Sequence, residues 1–136
     1  MSRLAQVTLT WADDDYTFRL PIKQLIELQE LCDAGPSFIM ARLQQGAWTV
    51  QDVRETIRLG LIGGGVEPTA ALKLVRNYVD DQPLLQNAII AEAIVAAAIV
   101  GVEEEKGPPG KPKATPEISP DLSAEKSDGP ISSDQG

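Results

Sequence analysis

The sequence predicts an α+β fold: a short N-terminal antiparallel β-hairpin packed on a bundle of about five helices, with a disordered C-terminal tail. Three observations predict it. Residues 5–20 hold two alternating apolar/polar runs on either side of an acidic turn. Residues 21–102 hold five stretches with helical spacing, separated by Gly-Pro, Gly, Gly-Gly-Gly and Asp-Gln-Pro breaks. From residue 107 onward the composition shifts to proline, serine, glycine and charge.

The first run, Ala5-Gln6-Val7-Thr8-Leu9-Thr10-Trp11, places Val7, Leu9 and Trp11 on one face of a strand. Ala12-Asp13-Asp14-Asp15 reads as the turn. The second run, Tyr16-Thr17-Phe18-Arg19-Leu20, places Tyr16, Phe18 and Leu20 on one face. An isolated hairpin is marginal in water, so the helices that follow must cover its apolar side.

The first helix is expected over residues 22–33, with Pro21 at its opening position. Its apolar side is Ile22, Leu25, Ile26, Leu28, Leu31 and Cys32, and Gly35-Pro36 is expected to end it through a left-handed glycine cap. A short second helix over residues 37–45 carries Phe38, Ile39 and Leu43. The third has the clearest start. Thr49 is an N-cap, Asp52 stands three residues on as a variant capping box, and Trp48 and Val53 form the staple. Val50, Val53, Ile57 and Leu61 follow on its apolar side. Gln51, Asp52, Arg54, Glu55 and Arg58 supply the polar surface. Gly63-Gly64-Gly65 is expected to end the helix as a flexible cap and linker. The fourth helix, residues 68–80, has Ala71, Leu72, Leu74, Val75, Tyr78 and Val79 as its apolar set.

Residues 84–102 differ from the rest: Glu92 is the only charge, and apolar positions run all the way round. A helix of that kind is buried on several sides, in a bundle, a partner interface or a bilayer. As a span it would be about 28 Å long, close to a hydrocarbon core of about 30 Å. The aliphatic gain of about 3–5 kcal/mol is offset by about 2.5–3.5 kcal/mol for a mid-helix acid, with Gln86 and Asn87 adding cost. No basic cluster flanks either end. Both facts argue against a membrane. A core helix, and a core helix that also offers apolar surface to a partner, are the competing readings. A small domain has few neighbours with which to cover such a helix. Some of Ile90, Ile94, Val95, Ile99 and Val100 are therefore expected at a partner interface.

Composition excludes whole classes of function. The chain has 136 residues, 12 Lys and Arg against 20 Asp and Glu, and a formal charge of −8. An acidic surface repels phosphate backbones, so nucleic acid is not expected as a partner. With no histidine, the commonest general base and metal ligand are missing. The single Cys32 permits neither an intramolecular disulfide nor a cysteine zinc site, and it reads as a small buried hydrophobe. Asp13-Asp14-Asp15 lacks the ligand spacing of a calcium loop. The glycine run at 63–65 follows a helix, with no Lys-Ser or Lys-Thr after it, so it is no phosphate loop. Neither an enzyme nor a cofactor is expected. Residues 1–106 are read as one α+β domain. Residues 107–136 are read as a tail, because Ile118, Leu122 and Ile131 cannot offset an ordering cost of about 1–2 kcal/mol per residue. The N-terminus lacks the basic-then-apolar pattern of a signal peptide, which points to a reducing cytoplasm.

Residues 5–102 resemble the phage tail assembly chaperones of the gene transfer agent type. The opening hairpin carries the likeness, as does Ile22-Lys23-Gln24-Leu25-Ile26-Glu27-Leu28-Gln29-Glu30 before a Gly-Pro break. So do Trp48-Thr49-Val50-Gln51-Asp52-Val53, Ile57-Arg58-Leu59-Gly60-Leu61-Ile62-Gly63-Gly64-Gly65 and Tyr78-Val79-Asp80-Asp81. The tail is not part of the shared pattern, and the family has no catalytic motif to transfer. The resemblance implies a chaperone in a bacterial host cell that keeps the tape measure protein soluble and helps recruit tail tube subunits. Two alternatives are a small membrane-associated protein using residues 84–102 and a structural tail or connector component.

Overall fold

The computed structural model describes residues 3–103; the expected domain boundary at 106 and the tail at 107–136 lie outside them. Along the chain run β1 (Arg3–Leu4), β2 (Gln6–Trp11), β3 (Asp14–Arg19), α1 (Ile22–Cys32) and α2 (Pro36–Gln45). They are followed by α3 (Val50–Gly63), α4 (Pro68–Tyr78), α5 (Leu85–Ile99) and β4 (Val102–Glu103). The fold is α+β: a hairpin followed by five helices.

β2 and β3 pair antiparallel, with Val7 opposite Phe18 and Leu9 opposite Tyr16. Trp11 pairs with Asp14, so the turn is only Ala12-Asp13, with Ala12 at φ 59°, and Asp14 and Asp15 belong to the strand. The apolar face turns inward, where Trp11 and Phe18 are buried. On the outer face the Thr8 and Thr17 hydroxyls are 2.9 Å apart, and Thr10 donates to Asp15 at 2.6 Å.

The boundaries of α1 to α4 follow the sequence closely, but the capping differs at both ends of α1. Pro21 is the N-cap of α1 rather than its first residue. The left-handed residue that ends α1 is Asp33, at φ 53°, and its N–H bonds the Gln29 carbonyl. Gly35 is instead the extended N-cap of α2, with Pro36 at N1. Aspartate tolerates the left-handed well better than most residues, which frees the Gly-Pro pair to start a helix.

α3 lies at the centre, packed on β3, α1, α4 and α5. Its capping box is complete: the Asp52 N–H donates to the Thr49 hydroxyl at 3.0 Å, and the Thr49 N–H donates to the Asp52 carboxylate at 2.9 Å. The C-terminal glycines are needed for close approach. A Cβ on Gly63 would strike the Arg19 carbonyl, and one on Gly64 the Thr17 carbonyl. The expected flexible linker is thus a tight contact between helix and hairpin. Gly65, at φ 114°, turns the chain away.

α5 stops at Ile99, and Val102 belongs to β4, which pairs with β1. The 84–102 segment is therefore a shorter helix plus a strand that the sequence reading did not anticipate. Gly101 turns at φ 88°. The Arg3 guanidinium donates to the carbonyls of Val100, the C-cap of α5, and of Gly101 just beyond it, each at 3.0 Å.

Candidate partner-binding surface

α5 is held from one side. Ala88, Ala91, Ile94, Val95 and Ala97 pack into the core against α3, α2 and the hairpin. Asn87 fixes its rotation. The buried Trp11 indole donates to Asn87 Oδ1 at 2.8 Å, and Asn87 Nδ2 donates to the Tyr78 carbonyl at 3.0 Å. One amide thus ties the hairpin, α4 and α5 together. Trp11 also stacks edge-on with Tyr16, Phe18 and Tyr78, with ring centroids 5.8, 5.9 and 6.0 Å away.

The opposite side of α5 is uncovered among the described residues. Leu85 is 63% exposed, Ile89 53%, Val100 55% and Ile99 43%. Ala93 and Ala96 lie between them, partly exposed. At about 1.5 Å per residue, the strip from Leu85 to Val100 is about 22 Å long. Glu92 falls within the same arc, is half-buried, and makes no hydrogen bond or ion pair with any described residue. Near the start of α5 an open groove of about 400 Å³ runs past Val50, Val79 and Leu84. On its charged wall Arg54 and Asp80 are paired with each other, and Asp81 stands beside them.

The structure divides the five residues expected at a partner interface. Ile99 and Val100 stand on the outer strip, Ile90 is half-buried, and Ile94 and Val95 are core. Leu85 and Ile89 are on the strip and were not singled out in the sequence. The i, i+4 spacing of 85–89 and 96–100 was the available signal. It was masked because α5 is apolar on every side.

The remaining polar groups serve the fold. Asp52 and Glu55, expected on the surface, are buried because arginines reach them. Arg42 grips Asp52 with two bonds, at 2.8 and 2.6 Å. Burial alone pushes the Asp52 carboxyl up, but Arg42 and the Thr49 N–H outweigh it and hold the group below the ordinary carboxylate value. Arg54 bridges Asp80 at 2.8 Å and Glu55 at 2.8 Å, and Arg58 donates to Glu55 at 2.7 Å. Val50, expected on the apolar side of α3, is exposed.

Burial pushes the Cys32 thiol up to about 12, so it stays protonated and unreactive at neutral pH. The hydrogen bond to Asp13 raises the Tyr16 phenol to about 12. Among the described residues, no group of His, Cys, Asp and Glu could hold a metal ion. No helix of the described residues is long and apolar enough to cross a membrane.

No curated protein and no solved structure matches the chain. Residues 4–101 match a family described as "Phage tail tube protein, GTA-gp10". That span runs from β1 to the turn after α5, and so contains the hairpin, all five helices and the α5 strip. The expected link to phage tails and gene transfer agents holds, and the family is structural rather than enzymatic. Its description names a tail tube protein and not an assembly chaperone. The chain belongs to the GTA-gp10 phage tail tube protein family.

Proposed function

We propose that this chain is a non-catalytic tail assembly chaperone of the bacterial cytoplasm that binds the tape measure protein through the outer strip of α5 and helps tail tube subunits assemble around it. The observation that carries this reading is the strip itself: Leu85, Ile89, Ile99 and Val100 on one side of a helix anchored firmly on the other. An apolar helix face laid against a partner helix is a recurrent mode of recognition. Covering the exposed halves of four aliphatic side chains yields roughly 1 kcal/mol each. That total is about the least that association costs in lost freedom. The strip alone therefore supports transient binding, which suits a factor that must let go of its client.

A second reading has its own support. The family is described as a tail tube protein, which favours a component retained in the tail. A tube subunit must contact its own copies through complementary surfaces that close into rings. A chaperone needs only its client.

Co-expression with the cognate tape measure protein tests the first reading. The wild-type chain should raise the soluble fraction of that protein, and Ile99→Asp should abolish the effect while keeping its circular dichroism. Loss of the effect without loss of folding supports the strip. Undiminished rescue by Ile99→Asp and Ile89→Asp together would refute it. The protein content of purified particles separates the two roles: absence fits a chaperone, and stoichiometric presence fits a tube component.

A further inference from the structure

We infer that the α5 strip takes an amphipathic helix carrying a lysine or arginine at its centre, and that Glu92 selects it. The inference rests on the docking role proposed above and adds the chemistry of the partner.

Glu92 is the single charge between Leu85 and Ile99. It stands midway along the strip, flanked by Leu85 and Ile89 on one side and Ile99 and Val100 on the other. The carboxylates of α3 each have an arginine; Glu92 has no hydrogen-bonded or ionic partner among the described residues. A partner that covered the strip with apolar groups alone would strip water from this carboxylate and leave it uncompensated. A cation at the matching position turns that cost into an attraction. Ala93 and Ala96 lower the ridge beside Glu92, so a helix can approach closely enough for a long basic side chain to reach it. The strip, at about 22 Å, matches about four turns of such a helix.

The same charge argues against a second copy of this chain. An antiparallel two-fold pairing of the strip sets Leu85 against Val100 of the other copy and Ile89 against Ala96. Glu92 of each copy then lies beside the axis, facing its own kind. Like charges in a closing interface disfavour it. An acidic group at the middle of the strip also opposes anionic lipid surfaces.

The test uses the full chain and three synthetic helical peptides of identical apolar stripe, with Lys, Gln or Glu at the central position. Fluorescence anisotropy at low salt should rank them Lys, Gln, Glu, with about tenfold between the extremes. High salt, on the order of 0.5 M, should shrink that ratio. Glu92→Gln should level the ranking and Glu92→Lys should invert it, each with unchanged circular dichroism. Equal affinity for all three peptides, or a ranking indifferent to Glu92→Lys, overturns the inference. So does concentration-dependent dimerisation of the free chain that Ile89→Asp abolishes, since the occupant is then a second copy. The docking role fails differently: Ile89→Asp would then leave both peptide binding and tape measure solubility untouched. If Glu92→Lys keeps tape measure solubility and Ile89→Asp loses it, the docking role stands and only the basic-centre inference falls.

Discussion

Helices α3 and α5 pack against each other and are nearly equal in length, 14 and 15 residues. α3 carries Asp52, Arg54, Glu55 and Arg58, whereas α5 carries Glu92 alone. Yet the polar helix is the deeper one. Asp52, Glu55 and Thr56 are buried on α3, while Leu85, Ile89, Ile99 and Val100 of α5 face outward. Charge in a sequence predicts exposure only when no opposite charge is close enough to neutralise it. Where pairs can form, a polar helix can be surrounded, and an apolar helix can be left on the outside for another molecule to cover. The charged groups of α3 are paired within the chain, whereas one side of α5 is exposed among the described residues.

The hardest way to break that contrast is to prevent α3 from docking. Gly64 sits where a Cβ would collide with the Thr17 carbonyl, a backbone atom that cannot swing aside. Gly64→Ala should force the hairpin off the helix end and cost more than about 3 kcal/mol. Thermal or urea melts would measure it. A cost under about 1 kcal/mol would mean that the two segments do not touch as closely as described.

A smaller effect tests whether α3 depends on its internal ion pairs. Asp52→Asn keeps the shape and removes the charge that Arg42 grips. It should cost about 2–3 kcal/mol at neutral pH, since hydrogen bonds to charged groups are worth more than neutral ones. Because Arg42 is itself part-exposed, the full penalty of a stranded buried charge is not expected. The pH dependence carries a sign. Folding lowers the Asp52 pKa below its ordinary 3.8. Its contribution is therefore fully present above that value and is lost as pH falls through the lower, folded-state pKa. The wild-type and Asp52→Asn stability curves should converge in acid below about pH 4. A gap that stays constant down to pH 2 would show that Asp52 does not titrate with folding.

What could be read in the sequence divides along the same line. The hairpin alternation and the Thr49–Asp52 capping box involve residues close in the chain, and both took the form expected. The burial of Asp52 depends on Arg42, and that of Glu55 on Arg54 and Arg58, with Arg54 also reaching Asp80 in the turn after α4. The Arg42–Asp52 and Arg54–Asp80 contacts join separate elements and leave no periodic trace in the sequence, whereas Glu55–Arg58 is a local i, i+3 pair. Gly35 reads as the C-terminal cap of α1, because nothing local in the sequence marks Asp33 as the residue that takes the left-handed turn. The site was half legible for a related reason. A helix apolar on every side signals that something must cover it, but its rotation was set by Asn87 and Trp11, which are 76 residues apart. Without that bond there was no way to tell Ile94, which is core, from Ile89, which is surface.

The smallest stability effect sharpens the comparison most. Ile89 is half-exposed and lies outside the core cluster. Ile89→Asp should therefore cost less than about 1 kcal/mol, mostly the weaker helix preference of aspartate. The same exchange at the fully buried Ile94 belongs with Gly64→Ala, because it forces a carboxyl into the core. Five residues apart on one helix, the two variants receive the same chemical change, so any difference between them reports facing alone. Chemical denaturation of both should separate them by more than about 2 kcal/mol. If they are equally damaging, Ile89 is covered in the free protein and the outer strip of α5 is not available to a partner. If both are mild, α5 is not seated in the core as described, and its opposite faces are interchangeable. Only a mild Ile89→Asp beside a severe Ile94→Asp leaves a helix whose inner half builds the fold and whose outer half is free to bind.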